Sequence, residues 1–374
     1  MQPNDVVLLV VAGGLGERGG IGRQMTHLLE AWSRIPSAPQ VVALDPRGSR
    51  SVWWTPLFLP RTLALILWRR LTRRVRLIHI NVSAHASLPR KAVVVLWAKL
   101  LRIPVVLHLH GSDFIVFVDS LPAPLRRAVS AMFRAADGVI VLGEVWRRYL
   151  VQALHVPPER LTILHTATPR APRAHHPSDQ GPCRLLFLGE VGERKGVPEL
   201  LAALARPELR ALEWELTLGG NGEVERFRRE AERLGIGERT RFVGWLDLAG
   251  VAAALDQASC VVLPSHREGL PSVILEALAR GLPIVSTPVG SIAEIVENEV
   301  SGLLVPPGDV PALAAALGRI IADFALRSRL AAGSARRFDD QFDIDVYARA
   351  VLAIYDRALA ARNRDRSPYP QPLA

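Results

Sequence analysis

The 374-residue sequence has few cysteines and nothing that resembles a membrane span. Cys183 and Cys260 are its only cysteines, and neither lies near histidines with the spacing of zinc ligands, so we expect neither disulfides nor structural zinc. No apolar run reaches the roughly 18 residues of a spanning helix. The opening stretch MQPNDVVLLVVAGG has no basic segment of the kind that begins a signal peptide. These absences predict a cytoplasmic protein, at most peripheral at the inner face of the cell membrane.

Acidic residues are scarce in the first half of the chain. Residues 1–175 carry 23 Lys and Arg against 9 Asp and Glu, a net charge of +14, whereas the remaining residues have 23 against 27, or −4. The sequence has no helix-turn-helix, zinc-finger or RNA-binding signature, and its aromatic residues cluster with aliphatic ones, which argues against nucleic acid. An anionic membrane surface fits both the charge and those clusters better, and we expect it as a partner.

The length and composition predict two α/β domains. A chain of 374 residues exceeds one typical core, and 49% hydrophobic with 22% charged residues indicates a globular protein. Short apolar runs alternate with helical patterns, which is typical of parallel strands buried on both faces. The predicted strands are 6–11, 41–44, 77–80, 105–109, 138–142, 161–164, 184–188, 214–218, 241–243, 260–263, 284–286 and 303–305.

The alternation is interrupted in HTATPRAPRAHHPSDQGP, residues 165–182, which is rich in Pro and polar residues. We therefore expect two doubly wound, Rossmann-like domains in tandem. The predicted boundaries are a first domain at 1–166, a linker at 167–183, a second domain at 184–340, a C-terminal helix at 341–361 that could pack back on the first domain, and a disordered tail at 362–374.

Glycine and histidine follow strands of the first domain. In open parallel sheets, ligands bind beyond the carboxyl ends of the strands, here in a cleft between two sheets that face each other. AGGLGERGGIG (12–22) follows the first strand, where glycine allows close approach of a ligand; it fits a dinucleotide fingerprint poorly, and the alternative is a flexible loop with no ligand. In HLHGSDF (108–114), His108 and His110 are either structural or chemical, and metal binding is the weaker option because no third ligand has suitable spacing.

Cations and further glycines follow strands of the second domain. In LGEVGERKGVPELLAAL (188–204), Arg194 and Lys195 immediately precede a helix, which indicates either a diphosphate site or a solvated pair of charges. LGGNGE (218–223) and FVGWL (242–246) place further glycines, Gly244 among them, at two strand ends, as close approach of a nucleoside would require.

HREGLPSVILEALARGLPIVSTPVG (266–290) contains a helix that is apolar on most sides, with Glu276 and Arg280 as its polar stripe. One interpretation pairs Glu276 with Arg280 and lets Glu268 complement the positive end of the helix. In the other, the N–H groups around Gly269 and Leu270 face a phosphate, and both carboxylates accept hydrogen bonds from hydroxyls of the same ligand.

The order and spacing of these motifs resemble family 4 of the retaining, nucleotide-sugar-dependent glycosyltransferases. The resemblance covers nearly the whole chain and is most specific over 184–309. It implies an α/β GT-B architecture, with two Rossmann-like doubly wound domains facing across a cleft. It further implies an acceptor-binding first domain, a second domain that binds the nucleotide sugar, and no metal or other cofactor.

The resemblance also implies roles for the acidic pair. Glu268 and Glu276 correspond to the E-x7-E pair of the family. Glu276 would hold the ribose hydroxyls of the donor nucleotide and Glu268 the hydroxyls of the transferred sugar. Backbone N–H groups near Gly269 and Leu270 would bind the distal phosphate.

The remaining implied roles fall on cations, a histidine and the first glycine-rich loop. Arg194 and Lys195 would neutralise the leaving diphosphate, His110 would contact the donor sugar, and Gly19 and Gly20 would close over the phosphates. One position departs from the family. Many relatives carry Arg directly after the glycine that ends the first strand of the second domain, whereas this chain has Glu190, so the usual clamp of two cations requires Arg194 to take the missing role.

The implied activity is metal-independent, retaining transfer of a hexose from a nucleotide diphosphate sugar to a glycan or lipid-linked glycan. Residues 53–76 combine Trp53, Trp54, Phe58 and Trp68 with six arginines, which is typical of a helix at a membrane interface. Alternatively, Leu63, Ile66, Leu67 and Leu71 pack into the core. A nucleotide-sugar epimerase of the same architecture and a catalytically inactive GT-B scaffold, which Glu190 would favour, are the alternative functions.

Overall fold

The computed structural model describes residues 3, 5–12, 14–15, 20–48, 55–72, 75–111, 113–171 and 181–365. The chain forms two compact units. Unit 1 comprises Met1–Thr166 together with Ile344–Ala374, and unit 2 comprises Ala167–Asp343. Each unit contains one six-stranded sheet in which every pairing is parallel.

The sheet of unit 1 has the strand order β2-β1-β3-β4-β5-β6. All five residues of its first strand, VVLLV, are buried, because helices cover both faces of a parallel sheet. The order reverses between β1 and β3, so the carboxyl ends of these two strands mark the position where such sheets bind ligands. The strands are β1 Val6–Val10, β2 Gln40–Leu44, β3 Val75–Val82, β4 Val105–Leu109, β5 Gly138–Val141 and β6 Leu161–Ile163.

Helices connect these strands. Helix α2 has a buried face and an exposed face: Thr62 and Ile66 are buried, whereas Trp68 and Leu71 are exposed. The helices of this part are α1 Gly20–Ser33, α2 Thr55–Thr72, α3 Ser87–Leu100, α4 Phe114–Asp119, α5 Ala123–Arg134 and α6 Glu144–Gln152.

The sheet of unit 2 has the order β12-β11-β10-β7-β8-β9. Renumbered within the unit, this is the 3-2-1-4-5-6 order of a dinucleotide-binding sheet read backwards, and it reverses between β7 and β10. The strands are β7 Cys183–Leu188, β8 Trp214–Gly219, β9 Thr240–Gly244, β10 Cys260–Leu263, β11 Ile284–Ser286 and β12 Gly302–Leu304. All twelve predicted strands are therefore present, with bounds that differ by at most two residues.

The helices of unit 2 pack around a core that includes the buried side chains of Phe187, Trp214, Phe227 and Phe338. They are α7 Val197–Leu204, α8 Pro207–Arg210, α9 Val224–Arg233, α10 Leu248–Gln257, α11 Ser272–Ala279, α12 Ile292–Ile295, α13 Val310–Ala322 and α14 Phe324–Arg337. Short 3₁₀ turns form at Pro158–Arg160, Glu193–Lys195 and Gly237–Arg239, and a π-helical turn forms at Phe338–Phe342.

The last helix, α15 (Ile344–Asp365), packs back on unit 1. Trp32 of α1 donates a hydrogen bond through Nε1 to the carbonyl oxygen of Ala348 at 3.0 Å. The Tyr355 hydroxyl lies 2.6 Å from Nδ1 of His79 on β3. The helix extends four residues past its predicted end, so the predicted disordered tail is wrong over 362–365, and 366–374 lie outside the described residues.

The predicted linker at 167–183 is too long at both ends. Arg170 donates hydrogen bonds to Asp339 at 2.6 Å and to Asp343 at 2.8 Å, which ties residues 167–171 to unit 2. At the other end Cys183 already belongs to β7. Residues 172–180 lie outside the described part of the chain.

Two expectations from composition concern cysteine and the membrane. Cys183 and Cys260 are both buried and carry free thiols, as predicted. None of the helices in the described ranges combines the length and the apolar character that crossing a bilayer requires.

Candidate functional site

Two loops of unit 2 meet where its strand order reverses. The segment after β7 contains Arg194 and Lys195, and the segment after β10 contains Ser265 and Glu268. The backbone N–H of His266 donates to the carbonyl oxygen of Arg194 at 3.0 Å, which joins the two loops directly. The sheet topology thus brings together residues that lie some 70 positions apart in the sequence.

A lysine and a carboxylate pair at this junction. Lys195 Nζ lies 2.5 Å from Glu268 Oε1, and Ser265 Oγ donates to the same oxygen at 2.8 Å. The Lys195 and Glu268 side chains are only 13% and 7% exposed, so the pair is screened little by solvent. The second carboxylate oxygen, Oε2, accepts no hydrogen bond from any described residue and is available to a ligand.

Glycine is required beside this pair. Gly196 has a φ of +73°, and a Cβ there would lie 2.0 Å from the carbonyl oxygen of Pro264. A side chain would separate the two loops. Gly196 therefore lets the 3₁₀ turn that ends at Lys195 pack directly against the loop that follows β10.

Arg194 has a different environment from Lys195. Its Nη2 donates to Glu190 Oε2 at 2.8 Å, and the side chains are 43% and 61% exposed. The hydrogen bond and charge of Arg194 hold the pKa of Glu190 below its usual range. Glu190, which departs from the family pattern, thus binds Arg194, the cation that would replace the missing Arg. Of the two neighbouring cations, Lys195 is the less exposed.

The backbone between Glu268 and helix α11 has unused donors. The N–H groups of Gly269 and Leu270 donate to no described residue, although the Gly269 carbonyl accepts a 3.0 Å hydrogen bond from the N–H of Ser291. Gly290 has a φ of +59°, and a Cβ there would lie 2.3 Å from the Glu268 carbonyl oxygen. Close packing of the two loops thus fixes a stretch of backbone whose N–H groups can bind an anion.

The interpretation that pairs Glu276 with Arg280 is wrong. Arg280, 9% exposed, donates through Nε to Asp256 Oδ1 of helix α10 at 2.7 Å. Its only contact with Glu276 is a 3.4 Å hydrogen bond to the backbone carbonyl. The half-buried Glu276 carboxylate has no hydrogen bond or ion pair with the described residues, so it is available to hydroxyls of a ligand.

A cavity of about 450 Å³ opens at the ends of β7 and β8. The residues that line it include Gly189, Gly220, Gly222 and Trp245. A Cβ on Gly220 would lie 1.7 Å from the Gly189 carbonyl oxygen, so the floor of the cavity requires glycine. Gly244 supports this floor, because its carbonyl accepts the N–H of Gly220 at 2.7 Å.

His79, His108 and His110 of unit 1 form a buried group with tilted rings. His110, after β4, is 6% exposed and donates through Nε2 to Asn81 Oδ1 at 2.8 Å. The rings of His108 and His110 lie 3.9 Å apart, and those of His79 and His108 5.3 Å apart. Burial lowers the pKa of His110 to about 3, so its imidazole is neutral at neutral pH. In the described residues, no set of three or more His, Cys, Asp or Glu side chains is arranged to hold a metal ion.

The first glycine-rich loop is described only at its ends. Gly20 is the first residue of α1, and Gly19 lies outside the described residues. The predicted contacts of both glycines with phosphate, and of His110 with the donor sugar, stay predictions.

Sequence reasoning missed the residues that support this site. Ser265 binds Glu268, Asp256 neutralises Arg280, and Asn81 orients His110. Ser265 follows β10 by two residues, and Asn81 lies near the end of β3, so a polar residue at a strand end was the available signal. Asp256 lies in the preceding helix, and nothing in the sequence marks it as the partner of Arg280.

Comparisons with known proteins identify the family of the chain and its fold. Residues 18–169 match the model of the family described as Glycosyltransferase Family 4, and residues 182–323 match that of Glycosyl transferases group 1. The chain is 36% identical over 192 residues to a glycogen synthase of Mycobacterium tuberculosis, which covers 51% of this chain and 46% of that protein. It is 34% identical over 174 residues to a phosphatidyl-myo-inositol mannosyltransferase of Mycobacterium leprae, covering 46% of each.

The chain spans about half the length of these two relatives. The crystal structure of Anabaena HepE in complex with UDP superposes with a TM-score of 0.72 and 18% identity, covering 94% of this chain and 99% of that chain. This likeness extends over both units and identifies the fold as GT-B.

Proposed function

Because the chain belongs to the family 4 glycosyltransferases and has the GT-B fold, we propose that it transfers a hexose from a nucleotide diphosphate sugar to a glycan or lipid-linked glycan. The transfer retains the configuration of the sugar and requires neither a metal ion nor another cofactor. The activities in the names of the two relatives support sugar transfer as the reaction.

One observation carries the proposal for the donor site. Unit 2 places a buried Lys195–Glu268 pair beside the unused N–H groups of Gly269 and Leu270, and the unpaired Glu276 carboxylate lies in the adjoining helix. A nucleotide diphosphate sugar needs this combination, because its phosphates bind cations and N–H groups while its hydroxyls bind carboxylates.

The chemistry follows from where charge develops. Departure of the nucleotide builds negative charge on the distal phosphate and positive charge on the sugar ring. Lys195 and the N–H groups of Gly269 and Leu270 stabilise the phosphate without rearranging, because the fold already holds them in place. The free oxygen of Glu268 holds sugar hydroxyls, and Glu276 holds the ribose. The family resemblance supports attack of the acceptor on the face that the phosphate leaves.

The cavity at the ends of β7 and β8 is the proposed site of the nucleobase and its ribose. Its glycine-lined floor allows a flat ring to lie against backbone, and the 69% exposed Trp245 offers an aromatic face at the rim. The structure of a protein of the same fold with UDP supports a nucleoside diphosphate as the leaving group.

For the acceptor, we propose that unit 1 docks on an anionic membrane at the inner face of the cell membrane. On helix α2, Leu57, Trp68 and Leu71 are 63%, 51% and 75% exposed. The guanidinium of Arg69 lies 4.8 Å from the centre of the Trp68 ring. An aromatic side chain beside arginines on an exposed helix face suits the boundary between lipid headgroups and acyl chains. Trp53 and Trp54 lie outside the described residues.

The experiment first screens thermal stabilisation by UDP, GDP, ADP and their sugars, and then incubates the stabilising sugar nucleotide with membrane and soluble glycan acceptors. Transfer with an unchanged anomeric configuration supports the proposal, and an inverted product contradicts the retaining mechanism. Epimerised donor without transfer would identify an epimerase instead. Nucleotide binding with neither product would identify an inactive scaffold.

A further inference from the structure

Unit 1 contains a buried cluster of positive charge that the proposed donor chemistry does not use. Arg90 and Lys91 lie in the first two turns of helix α3, and Arg47 follows β2 by three residues. The three side chains are near enough for their charges to act on one another, since Arg47 and Arg90 each lower the pKa of Lys91. We call Arg47, Arg90 and Lys91 the basic cluster.

Each cation of the basic cluster has a buried nitrogen without a hydrogen-bond partner in the described part of the chain. Lys91 has no exposed surface and Arg90 is 7% exposed. Lys91 Nζ, Arg90 Nε and Arg47 Nε are buried, and none of them has a hydrogen-bond partner among the described residues. A buried unpaired charge costs several kcal/mol, so such atoms require a physical reason.

Among the described residues, Asp45 is the one carboxylate whose charge acts on Arg90 and Lys91, and it has other hydrogen bonds. Asp45 Oδ1 accepts the backbone N–H groups of Arg47 at 2.9 Å and of Gly48 at 3.0 Å. Residues 46–112, which include helix α3, contain 12 Lys and Arg but no Asp or Glu. Within the described part of the chain, positive charge therefore exceeds negative charge around the basic cluster.

The position of the basic cluster is that of a ligand site. Asp45 and Arg47 follow the carboxyl end of β2, and α3 begins after the carboxyl end of β3. Gly14 lies beside the same carboxylate, since a Cβ there would lie 3.9 Å from Asp45 Oδ2. Asp45 and Arg47 are only half-buried, so this edge of the basic cluster is partly exposed to solvent.

We propose that Arg47, Arg90 and Lys91 bind a phosphate group of the acceptor substrate. A dianionic phosphate monoester or a diphosphate balances the excess charge, whereas a single carboxylate would leave one cation unpaired. Guanidinium groups bind phosphate oxygens through paired hydrogen bonds, and an ammonium group adds a compact charge. The proposal rests on the proposed function, since it assigns the phosphate to the molecule that accepts the sugar.

The unfolding temperature distinguishes a phosphate site from a cluster with only a structural role. Burial and, second, the charge of Arg90 lower the pKa of Lys91 to about 7. Lys91 Nζ is buried without a hydrogen-bond partner among the described residues, so Lys91→Met should raise the unfolding temperature in the absence of anions. With phosphate bound, the order should reverse, because only the original lysine gains a partner.

The experiment uses the full chain with Lys195→Gln, which removes the cation of the proposed donor site so that phosphate bound there does not obscure the result. Inorganic phosphate is titrated by calorimetry at pH 6.5 into this protein and into versions that also carry Lys91→Met or Arg90→Gln. We expect at least tenfold weaker binding for both, since one hydrogen bond to a charged group contributes that much. Lys99→Gln, which removes a cation from the far end of the same helix, is the matched control and should leave the affinity unchanged.

Phosphate that fails to bind the Lys195→Gln protein, or that binds the Lys91→Met and Arg90→Gln versions equally well, overturns the proposal. The source of the phosphate is separated by comparing glucose 1-phosphate in solution with a polyprenyl phosphate in phosphatidylcholine vesicles. Tighter, Lys91-dependent binding of the first indicates a soluble acceptor, and of the second a lipid-linked one.

Transfer assays distinguish whether the bound phosphate belongs to the acceptor from whether the protein transfers sugar at all. If Lys91→Met, with Lys195 intact, transfers sugar with an unchanged acceptor KM, the phosphate does not belong to the acceptor although sugar transfer stands. If Lys91 is needed for phosphate binding but no sugar is transferred by any version, the site stands and the proposed function fails.

Discussion

At the residue scale, Arg280 determines how helix α11 is interpreted. Its guanidinium is bound by Asp256, so Glu276 is left half-buried in an otherwise apolar helix without a partner among the described residues. An apolar side chain at this position would pack at lower cost. Residues that break the local pattern without structural compensation are expected at functional sites, and a ligand hydroxyl supplies the missing partner.

We therefore predict that Glu276→Ala weakens binding of the free nucleoside diphosphate by about tenfold to a hundredfold, because hydrogen bonds to a charged group contribute about 1.5 to 3 kcal/mol. Glu268→Gln should leave this affinity nearly unchanged and lower turnover, since Glu268 is assigned to the transferred sugar. Calorimetric titration and initial rates measure the two effects.

Glu208→Ala is the control for Glu276→Ala. It removes an exposed carboxylate of helix α8, which is 55% exposed, and leaves both Glu276 and the Arg280–Asp256 pair in place, so nucleotide affinity should not change. Equal affinities for the original protein and Glu276→Ala would refute the ribose assignment.

A second residue-scale prediction concerns the buried group of His79, His108 and His110. Burial lowers the pKa of His79 and of His110 to about 3, and that of His108 well below 6.5. Below pH 6.5 the unfolded chain therefore binds more protons than the folded one. Each neutral imidazole contributes stability that is complete above pH 6.5 and is lost as the pH falls towards 3, at up to about 1.4 kcal/mol per pH unit.

His108 is the best residue of this group to test, because neither of its ring nitrogens has a hydrogen-bond partner among the described residues. His108→Leu should reduce the loss of unfolding free energy between pH 7 and pH 4.5, measured by urea denaturation. The exposed His155→Asn serves as the control and should leave that loss unchanged. An identical acid dependence for His108→Leu and the original protein would show that His108 does not contribute to it.

At the element scale, helix α2 has a buried face and an exposed face, and the exposed face is the one that we propose to dock on a membrane. If its exposed face docks on a membrane, the liposome-bound fraction should fall steeply with salt, because each surface Lys or Arg contributes about 1 kcal/mol and is screened within a Debye length. Changing Arg69, Arg70, Arg73 and Arg74 together to Gln should remove most binding to anionic liposomes, and Trp68→Ala should weaken what remains at high salt. Arg73 and Arg74 lie outside the described residues. Cosedimentation over a series of ionic strengths measures both effects.

The buried face of α2 supplies the control. Ile66 has no exposed surface, so Ile66→Ala should cost about 2 to 5 kcal/mol of unfolding free energy and leave liposome binding of the folded protein unchanged. Sedimentation of the quadruple variant to the same extent as the original protein would show that Arg69, Arg70, Arg73 and Arg74 do not hold the protein on a membrane.

The elements also show what the sequence could predict. Strands such as β4 and β10 were located to the residue, because a short continuous apolar run between two helical patterns is typical of a parallel strand buried on both faces. The glycine-rich and charged segments after β7 and β10 were placed correctly for the same reason. The partners of Arg280 and Lys195 depend on long-range packing, so no local pattern could name Asp256 or distinguish a paired Lys195 from a free one. The end of α15 was missed because helix ends are weakly encoded.

At the scale of the whole molecule, the two halves of the chain differ in net charge, in keeping with the different substrates proposed for them. The net charge of +14 on residues 1–175 suits an anionic acceptor or membrane. The remaining residues carry a net charge of −4, so binding of the diphosphate in the donor site depends on the cations close to it. The central claim is therefore that one partly buried lysine in unit 2, Lys195, stabilises the leaving diphosphate in place of the two cations that the family resemblance implies.

The most direct test compares glycosyl transfer rates of the full-length protein and its Lys195→Gln variant, with and without magnesium. Glutamine still donates a hydrogen bond to Glu268 but carries no charge. Arg194→Gln, which removes the exposed cation paired with Glu190, is the matched control. We predict that Lys195→Gln lowers turnover by about 10² or more, that magnesium does not restore it, and that Arg194→Gln costs less than about tenfold. An unchanged rate for Lys195→Gln, or its recovery with magnesium, would contradict the proposed charge compensation.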